Sequence, residues 1–393
     1  MESKVNKKSL LHVFDDYKAK REKVFASFDV EKTREKLHEL KKESIKNIEN
    51  LKKQAVANLK DFGVKVFEVN DYQEAGEVLK KLTDGANLIV KSKSSVINNL
   101  NLKEILKGKE IIETDTGDFL AELAGAKAEH HISPAISLDI KTLQMVIKDK
   151  LDQDVEPTAE AIVECVRNYL REKIIQAKVG LTGANALTAE GQIVILENEG
   201  NISLVSRLPE RHIVIASAKK IVPTIEDAML VVKCATIWGT GQAWPVYTSI
   251  IAGPSKTADV EKKLVEGAQG TKEIDLILIN DHKDLIETPF EEILYCISCG
   301  ACLNFCPVFL IEHEKIDYKF ANRIFKCTLC GSCKLNCPAK IDLGKITKAA
   351  RVQFAKEGKN PESAQKMIEN VRKYGNPFGE IKEGETPKEL FCC

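Results

Sequence analysis

Eight of the 12 cysteines in this 393-residue chain fall within one stretch of 42 residues, and they spell one phrase twice. The first copy is Cys296-Ile-Ser-Cys299-Gly-Ala-Cys302-Leu-Asn-Phe-Cys306-Pro307. The second, at an offset of 31 residues, is Cys327-Thr-Leu-Cys330-Gly-Ser-Cys333-Lys-Leu-Asn-Cys337-Pro338. Each reads C-x2-C-x2-C-x3-C-P. Three thiolates two residues apart can wrap one face of a 4Fe-4S cube, while the fourth, held off by the three-residue gap and the following proline, caps a second cube. The spacing predicts two clusters close enough for electron hopping, and a chain that moves electrons.

The same run holds the paired cubane clusters of bacterial-type ferredoxins. On its crossed rule Cys296, Cys299, Cys302 and Cys337 bind one cluster, and Cys327, Cys330, Cys333 and Cys306 bind the other. Gly300 and Gly331 stand just before the third cysteine of each run, where a missing Cβ lets backbone amides approach cluster sulfur. Ile297, Leu303, Phe305, Val308, Leu329 and Ile341 can supply a dry shell. A pair of tetrahedral zinc sites is the competing reading, since C-x2-C pairs also bind zinc, but zinc requires neither the tripled spacing nor the repeated C-P. An extracellular disulfide framework fits less well, because no secretory leader precedes it.

The length leaves room for two or three domains. Lys plus Arg and Asp plus Glu both number 58, so charge gives no case for nucleic acid or an anionic membrane as partner. The N-terminus lacks an apolar core, and no stretch of about 18 uninterrupted apolar residues occurs, so no transmembrane segment is expected. A cytoplasmic protein is expected, in a reducing compartment.

Four regions are expected along the chain: a helical arm over 1–60, an α/β domain over 61–285, a dicluster ferredoxin domain over 286–345, and a helical exit and tail over 346–393. In the arm, Leu37, Leu40, Ile45, Ile48, Leu51, Ala55 and Leu59 recur at helical spacing, as in an arm packed on the following domain. Short apolar runs then predict strands at 64–69, 87–90, 110–113, 178–180, 192–197, 212–216 and 274–279. Helical patterns lie at 72–83, 96–107, 117–126, 156–176 and 224–238. Such alternation argues for a largely parallel sheet with both faces covered by helices.

Several segments of the α/β region resemble the LUD domain: Val90-Lys-Ser-Lys-Ser-Ser95, Glu113-Thr-Asp-Thr-Gly-Asp-Phe119, Gly183-Ala-Asn185 through Glu190-Gly, Asn198-Glu-Gly-Asn201, Val222-Pro-Thr-Ile-Glu-Asp227 and Thr240-Gly-Gln242. In this order, and followed by a dicluster module, they resemble the iron-sulfur subunit of the bacterial lactate-utilization complex, over roughly residues 30–345. The resemblance implies a LUD-like fold akin to the sugar-isomerase and coenzyme-A-transferase-like group. It also implies a role in oxidising L-lactate to pyruvate, with a cysteine-rich redox subunit and a bare LUD protein as partners. Three features depart from that pattern: only 20 residues between Cys306 and Cys327, Ala189-Glu-Gly-Gln192 in place of a Glu-Thr-Gly-Thr type turn, and a tail, Glu369 to Gly379, that resembles heterodisulfide-reductase-like proteins. Because a cysteine-rich domain often follows in those relatives and the sequence stops here, a separate cysteine-rich subunit is expected.

Lys91 and Lys93 follow a strand, where open α/β sheets place ligands. With Ser94 they are candidates to hold a small organic acid, while Ser92, Ser94 and Ser95 can equally cap the next helix. Glu113, Asp115 and Asp118 form an acidic turn after another strand, and Glu190 sits in a glycine-rich stretch where a carboxylate could approach a ligand. Glu190, Glu113, Asp115 and His130 are therefore the catalytic candidates; His130 and His131 compete with a capping role and Glu190 with that of a turn acid. Cys165 and Cys234 read as core, and Cys392 and Cys393 as a tail that could reach a partner's cluster. Gly239-Thr-Gly241 lacks the third glycine of a dinucleotide fingerprint, and neither a P-loop nor a C-x-x-C-H haem site occurs. The leading expectation is an electron-transfer subunit of a lactate-oxidising complex. Its rivals are a subunit of another anaerobic complex related to heterodisulfide reductase, and a small-molecule-binding redox sensor.

Overall fold

The computed structural model describes residues 7–126, 138–312, 315–381, 384 and 386–387, with side chains from Phe14 onward. The chain divides into two compact units, Met1–Ala301 with Asn336–Ile341, and Cys302–Leu335 with Asp342–Cys393.

The first unit opens with three helices, α1 (Lys7–Phe25), α2 (Val30–Lys46) and α3 (Ile48–Asp61). Asp29 starts α2 by accepting the Lys32 amide hydrogen at 2.9 Å, an N-cap. The apolar stripe expected of the arm is buried at Leu37, Ile45, Ile48, Leu51, Ala55 and Leu59. The helices therefore lie on the body of the unit. In α1, Tyr17 anchors itself by donating its hydroxyl to the Trp238 carbonyl at 2.6 Å.

The body alternates strand and helix: β1 (Lys65–Val69), α4 (Tyr72–Leu82), β2 (Leu88–Lys91), α5 (Leu102–Ile105), β3 (Glu110–Glu113), α6 (Thr116–Leu123), α7 (Ile140–Leu151), α8 (Ala159–Gln176) and β4 (Val179–Gly183). There follow β5 (Ala186–Thr188), β6 (Ile193–Glu197), α9 (Asn201–Arg207), β7 (Arg211–Ser217), β8 (Ile221–Val222), α10 (Ile225–Thr240), β9 (Tyr247–Ile251), β10 (Lys256–Thr257), β11 (Val265–Glu266) and β12 (Glu273–Ile279). Six strands form an all-parallel sheet in the order β1-β12-β7-β4-β2-β3. Neighbouring residues of one strand serve opposite faces. Ile89 joins Leu79, Ile97, Leu181 and Ile277 on one side, whereas Val90 joins Ile147, Val166 and Val205 on the other. Ile162, Val166, Leu170 and Ile174 give α8 a buried stripe at every fourth residue.

Two expectations change in detail. The run at 192–197 is β6, but it belongs to a second sheet of mixed direction, β8-β5-β6-β9. The helix expected at 96–107 is broken into a turn at Ile97–Asn99 and the short α5, because Leu100 is extended and Asn101 turns its side chain back to Glu104 at 2.8 Å.

The second unit carries small helices: α11 (Ala301–Asn304) at its start, then α12 (Pro307–Glu312), α13 (Ala321–Ile324), α14 (Ser332–Leu335), α15 (Leu343–Lys356) and α16 (Glu362–Tyr374). Asp342 caps α15 through the Lys345 amide at 2.9 Å, and Ile324, Ile346 and Ala350 are buried. None of the described helices is long and apolar enough to cross a membrane.

Candidate functional site

The two cysteine runs share one backbone conformation. Ser298 and Gly300 have φ of 60° and 77°, and their counterparts Leu329 and Gly331 have 56° and 77°. Left-handed backbone is uncommon for serine and costly for leucine, so its recurrence in both copies points to a constraint imposed by the thiols. The turn aims amides at sulfur: Ser298 N donates to Cys296 Sγ and Leu329 N to Cys327 Sγ, each at 3.4 Å. Backbone amides of Val308 and Phe309 likewise donate to Cys306, and those of Ala339 and Ile341 to Cys337. Sulfurs cradled by amide dipoles suit a thiolate-ligated iron-sulfur cube. All ten described cysteines are free of disulfides.

Within the second unit Cys306, Cys327, Cys330 and Cys333 are near enough to act on one another electrostatically. Burial, reinforced by the neighbouring sulfurs, raises the Cys306 and Cys333 thiols. Within the first unit burial pushes Cys337 up to about 11, with Cys296 adding to the rise. Without metal, the raised Cys306, Cys333 and Cys337 thiols stay protonated at neutral pH, and metal must displace those protons. Among the described residues no three Cys, His, Asp or Glu side chains gather as ligands of a single metal ion.

The first unit builds a wall around Cys296 and Cys337. One face of α2 presents Arg34, His38 and Lys41 at helical spacing. Arg34 Nε donates to the Cys337 carbonyl at 3.0 Å, His38 Nδ1 lies 2.9 Å from the Ala339 carbonyl, and the His38 ring meets Tyr295 edge-on. Buried Lys41 donates to the Lys219 carbonyl, and buried Lys220 to the Ala184 carbonyl. Burial and neighbouring Lys219 push these ammonium groups down to about 7 and about 8, against an upward pull from Cys296 on both. From α10, Gly239 comes so close that a Cβ there would lie 2.9 Å from the Cys299 carbonyl oxygen. In the second unit, Arg351 of α15 donates to the carbonyls of Ile324, Phe325 and Cys327 at 2.5–3.2 Å.

A second constellation occupies the carboxyl ends of β2 and β3. The strands pair Lys91 with Glu113, and their side chains form a buried ion pair. The other Glu113 oxygen accepts the amides of Thr114 and Asp115 at 2.8 and 3.0 Å. Burial raises Glu113 above the ordinary carboxylate range despite Lys91. Lys93 Nζ lies 2.6 Å from Asp118 Oδ2, an oxygen that receives no well-angled hydrogen bond. Burial raises Asp118 too. Ser94 crosses the end of β4 so tightly that a Cβ on Gly183 would lie 2.2 Å from its hydroxyl. Ser92 is pinned through its amide to the Leu181 carbonyl at 2.9 Å. Lys91, Glu113 and Asp118, with Asn98, Lys103 and Glu122, line an open pocket of about 360 Å³.

Lys91, Lys93, Glu113 and Asp118 are thus brought together. Asp115 serves as the N-cap of α6 through the Asp118 amide at 3.0 Å. Glu190 is exposed and accepts the first amide of α10, Ile225 N, at 3.0 Å; the open side of Gly191 beside it is filled by Asn58 of α3 and by Phe62, which follows that helix. Cys234 is buried, which pushes its thiol up to about 12, and Cys165 is half-buried. His130, His131, Cys392 and Cys393 lie outside the described residues.

Sequence reasoning missed Glu199, which accepts the amide and hydroxyl of Thr116 at 3.0 and 2.9 Å and is raised by burial and by Asp115. It also missed Arg34, His38, Lys41 and Lys220. Arg34, His38 and Lys41 share one face at i, i+4 and i+7, but in a helix charged nearly all round that spacing does not single them out.

Residues 52–279 match the family described as the LUD domain, and residues 295–341 the one described as the 4Fe-4S dicluster domain. The second match makes Cys296–Cys337 a dicluster segment carrying two 4Fe-4S clusters. The chain is similar to Lactate utilization protein B of Geobacillus sp. (strain WCH70), 31% identical over 278 residues that cover 69% of this chain and 57% of the relative. It is similar also to the Bacillus subtilis (strain 168) protein of the same name, 30% identical over 278 residues, 69% of this chain and 56% of the relative. The chain thus spans a little over half the length of these curated relatives. A solved DUF162 family protein from Deinococcus radiodurans aligns over 59% of this chain and 98% of its own, with a TM-score of 0.35 and 14% identity.

Proposed function

This chain belongs to the LUD domain family, and from that membership together with its dicluster domain we propose that it is the iron-sulfur electron-transfer subunit of a multi-subunit oxidoreductase that oxidises L-lactate to pyruvate. The observation that carries the proposal is a shared unit: Cys296, Cys299 and Cys337 belong to the same compact unit as the LUD sheet, and Gly239 of α10 packs directly on the Cys299 carbonyl. In the proposed ligation Cys296, Cys299, Cys302 and Cys337 hold the first cluster, and Cys306, Cys327, Cys330 and Cys333 the second. The clusters supply one-electron acceptance and release.

Turning a hydroxy acid into an oxo acid releases two electrons and two protons. Two one-electron carriers match the electrons in number, and the raised Glu113 and Asp118 carboxyls suit proton acceptors. In the proposed site Lys91, Lys93 and Ser94 receive the substrate carboxylate. Both ammonium groups already face carboxylates. An incoming anion therefore competes with Glu113 and Asp118, and protonation of either frees a lysine to bind it. Breaking the substrate C–H bond calls for a two-electron acceptor that this chain's motifs do not supply. We assign that step to the partners, a cysteine-rich redox subunit and a second LUD protein.

The test is anaerobic purification with copurifying partners, iron and sulfide analysis, then addition of L-lactate while cluster absorbance is followed. About eight irons per chain, as two 4Fe-4S clusters require, with rapid bleaching by lactate is the expected result. Zinc in place of iron and sulfide sinks the electron-transfer role. Iron present without bleaching, partners included, removes lactate and leaves the relay.

A further inference from the structure

Two buried lysines of the first unit take no part in that function. Lys41 is 2% exposed and Lys220 8%; with Lys52 they are the buried lysines among the described residues. Lys52 has an acidic partner, Glu49, at 2.7 Å. Lys41 and Lys220 instead donate to backbone carbonyls, Lys219 O and Ala184 O, each at 2.5 Å. A buried ammonium resting on a carbonyl is expensive to hold, and such groups seldom persist without a compensating negative charge. Lys41 donates to the carbonyl of Lys219, next in the chain to Lys220, so the two lie together, and a Cys296 thiolate ligating a cluster would act on both, with Asp281 acting on Lys220 as well. Arg34 and His38, on the same face of α2 as Lys41, touch the carbonyls of Cys337 and Ala339, so this face runs along the ligand segments themselves.

We propose that Lys41 and Lys220 are the charge-positioning pair of the first cluster, two buried lysines that its negative charge holds protonated and that raise its reduction potential more than that of the second. When one electron enters a thiolate-ligated cube no bond forms or breaks, and the net negative charge grows by one. A nearby positive charge in a dry site favours that reduced form. The guanidiniums on cysteine carbonyls do not account for a difference between the clusters, because each half has one, Arg34 on Cys337 and Arg351 on Cys327. Arg21 adds a guanidinium at Asn336 in the first half, and the buried pair is a further asymmetry, since no lysine of the second unit is buried among the described residues. The proposal rests on Cys296 as a ligand of the first cluster and is independent of the substrate.

The experiment is an anaerobic dithionite titration of the full chain followed by electron paramagnetic resonance, after iron and sulfide analysis. That analysis by itself tests the presence of the clusters. Lys41→Met and Lys220→Met are each expected to lower one of two reduction steps by a tenfold change in its equilibrium constant, about 59 mV for one electron, with the other step moved less. Lys41→Arg keeps the charge and is expected to restore the step. Unchanged potentials at full iron content overturn the proposal, as does an equal shift of both steps. If the Met variants lose iron and Lys41→Arg loses it equally, the lysines are structural and the proposal fails.

Discussion

The two copies of the cysteine phrase have the same spacing and the same left-handed turns, yet they are supported in different ways. Cys296, Cys299 and Cys337 belong to the large α/β unit, where α2 and α10 bring Arg34, His38 and Gly239 against the ligand segments. Cys306, Cys327, Cys330 and Cys333 belong to a unit of short helices, in which α15 supplies Arg351. A duplicated motif therefore encodes its own local backbone but not its surroundings. The surroundings decide how stability and potential differ between the copies.

The largest expected effect breaks this comparison outright. Cys299→Ala and Cys330→Ala should each remove about half of the iron, since each takes one ligand from one of two clusters. Their effects on the α/β unit should differ. Losing the first cluster should destabilise that unit by several kcal/mol, because metal binding at a site built from the fold contributes to folding free energy. Losing the second should leave its melting temperature in place. Thermal unfolding of the two variants, followed by circular dichroism, checks this; equal losses would show that the first half is no better integrated than the second.

Acid should act on the first unit through His212, which is fully buried on β7 with Nε2 2.7 Å from Thr182 Oγ1 and no described partner at Nδ1. Burial pushes it down to about 3. Between that value and the ordinary 6.5 the unfolded chain binds a proton that the folded one refuses, so stability falls as pH falls below 6.5. The slope is up to about 1.4 kcal/mol per pH unit. Asp275, raised by burial, works in the opposite sense at lower pH. Unfolding at pH 7 and pH 5 should show a smaller difference in His212→Gln than in the unaltered chain.

Much of this architecture was legible in the chain. The strand runs became β1, β2, β3, β4, β6, β7 and β12, because strands such as β4, β7 and β12, covered on both faces, are buried nearly throughout and leave unbroken apolar runs. The second sheet was not legible: β5 and β8 are three and two residues long, too short for a period to register. Of the candidate site, Lys91 and Glu113 were visible singly as polar residues ending apolar strands. Their pairing depends on β2 and β3 being neighbours, which no local pattern states. Lys41 and Lys220 were invisible for a related reason. A lysine in a charged stretch reads as solvated, and only the fold puts it in the dry interior.

Gly239→Ala should come next in size. Its new methyl would press on the Cys299 carbonyl at 2.9 Å, backbone against helix, with no flexible side chain to yield. Overpacking of this kind costs about 1–3 kcal/mol, and here it should also displace a ligand segment, so iron retention should drop together with the melting temperature.

Gly331→Ala is the matched probe in the other half, and the smallest effect. No described protein atom lies within 4 Å of a Cβ built there, so the protein itself adds only the strain of a left-handed φ of 77°. That strain is about 1–2 kcal/mol. The variant should melt slightly earlier through this strain alone, whereas Gly239→Ala adds a clash with the protein backbone. If Gly331→Ala lowered the melting temperature as far as Gly239→Ala, the second half would depend on its surroundings as closely as the first.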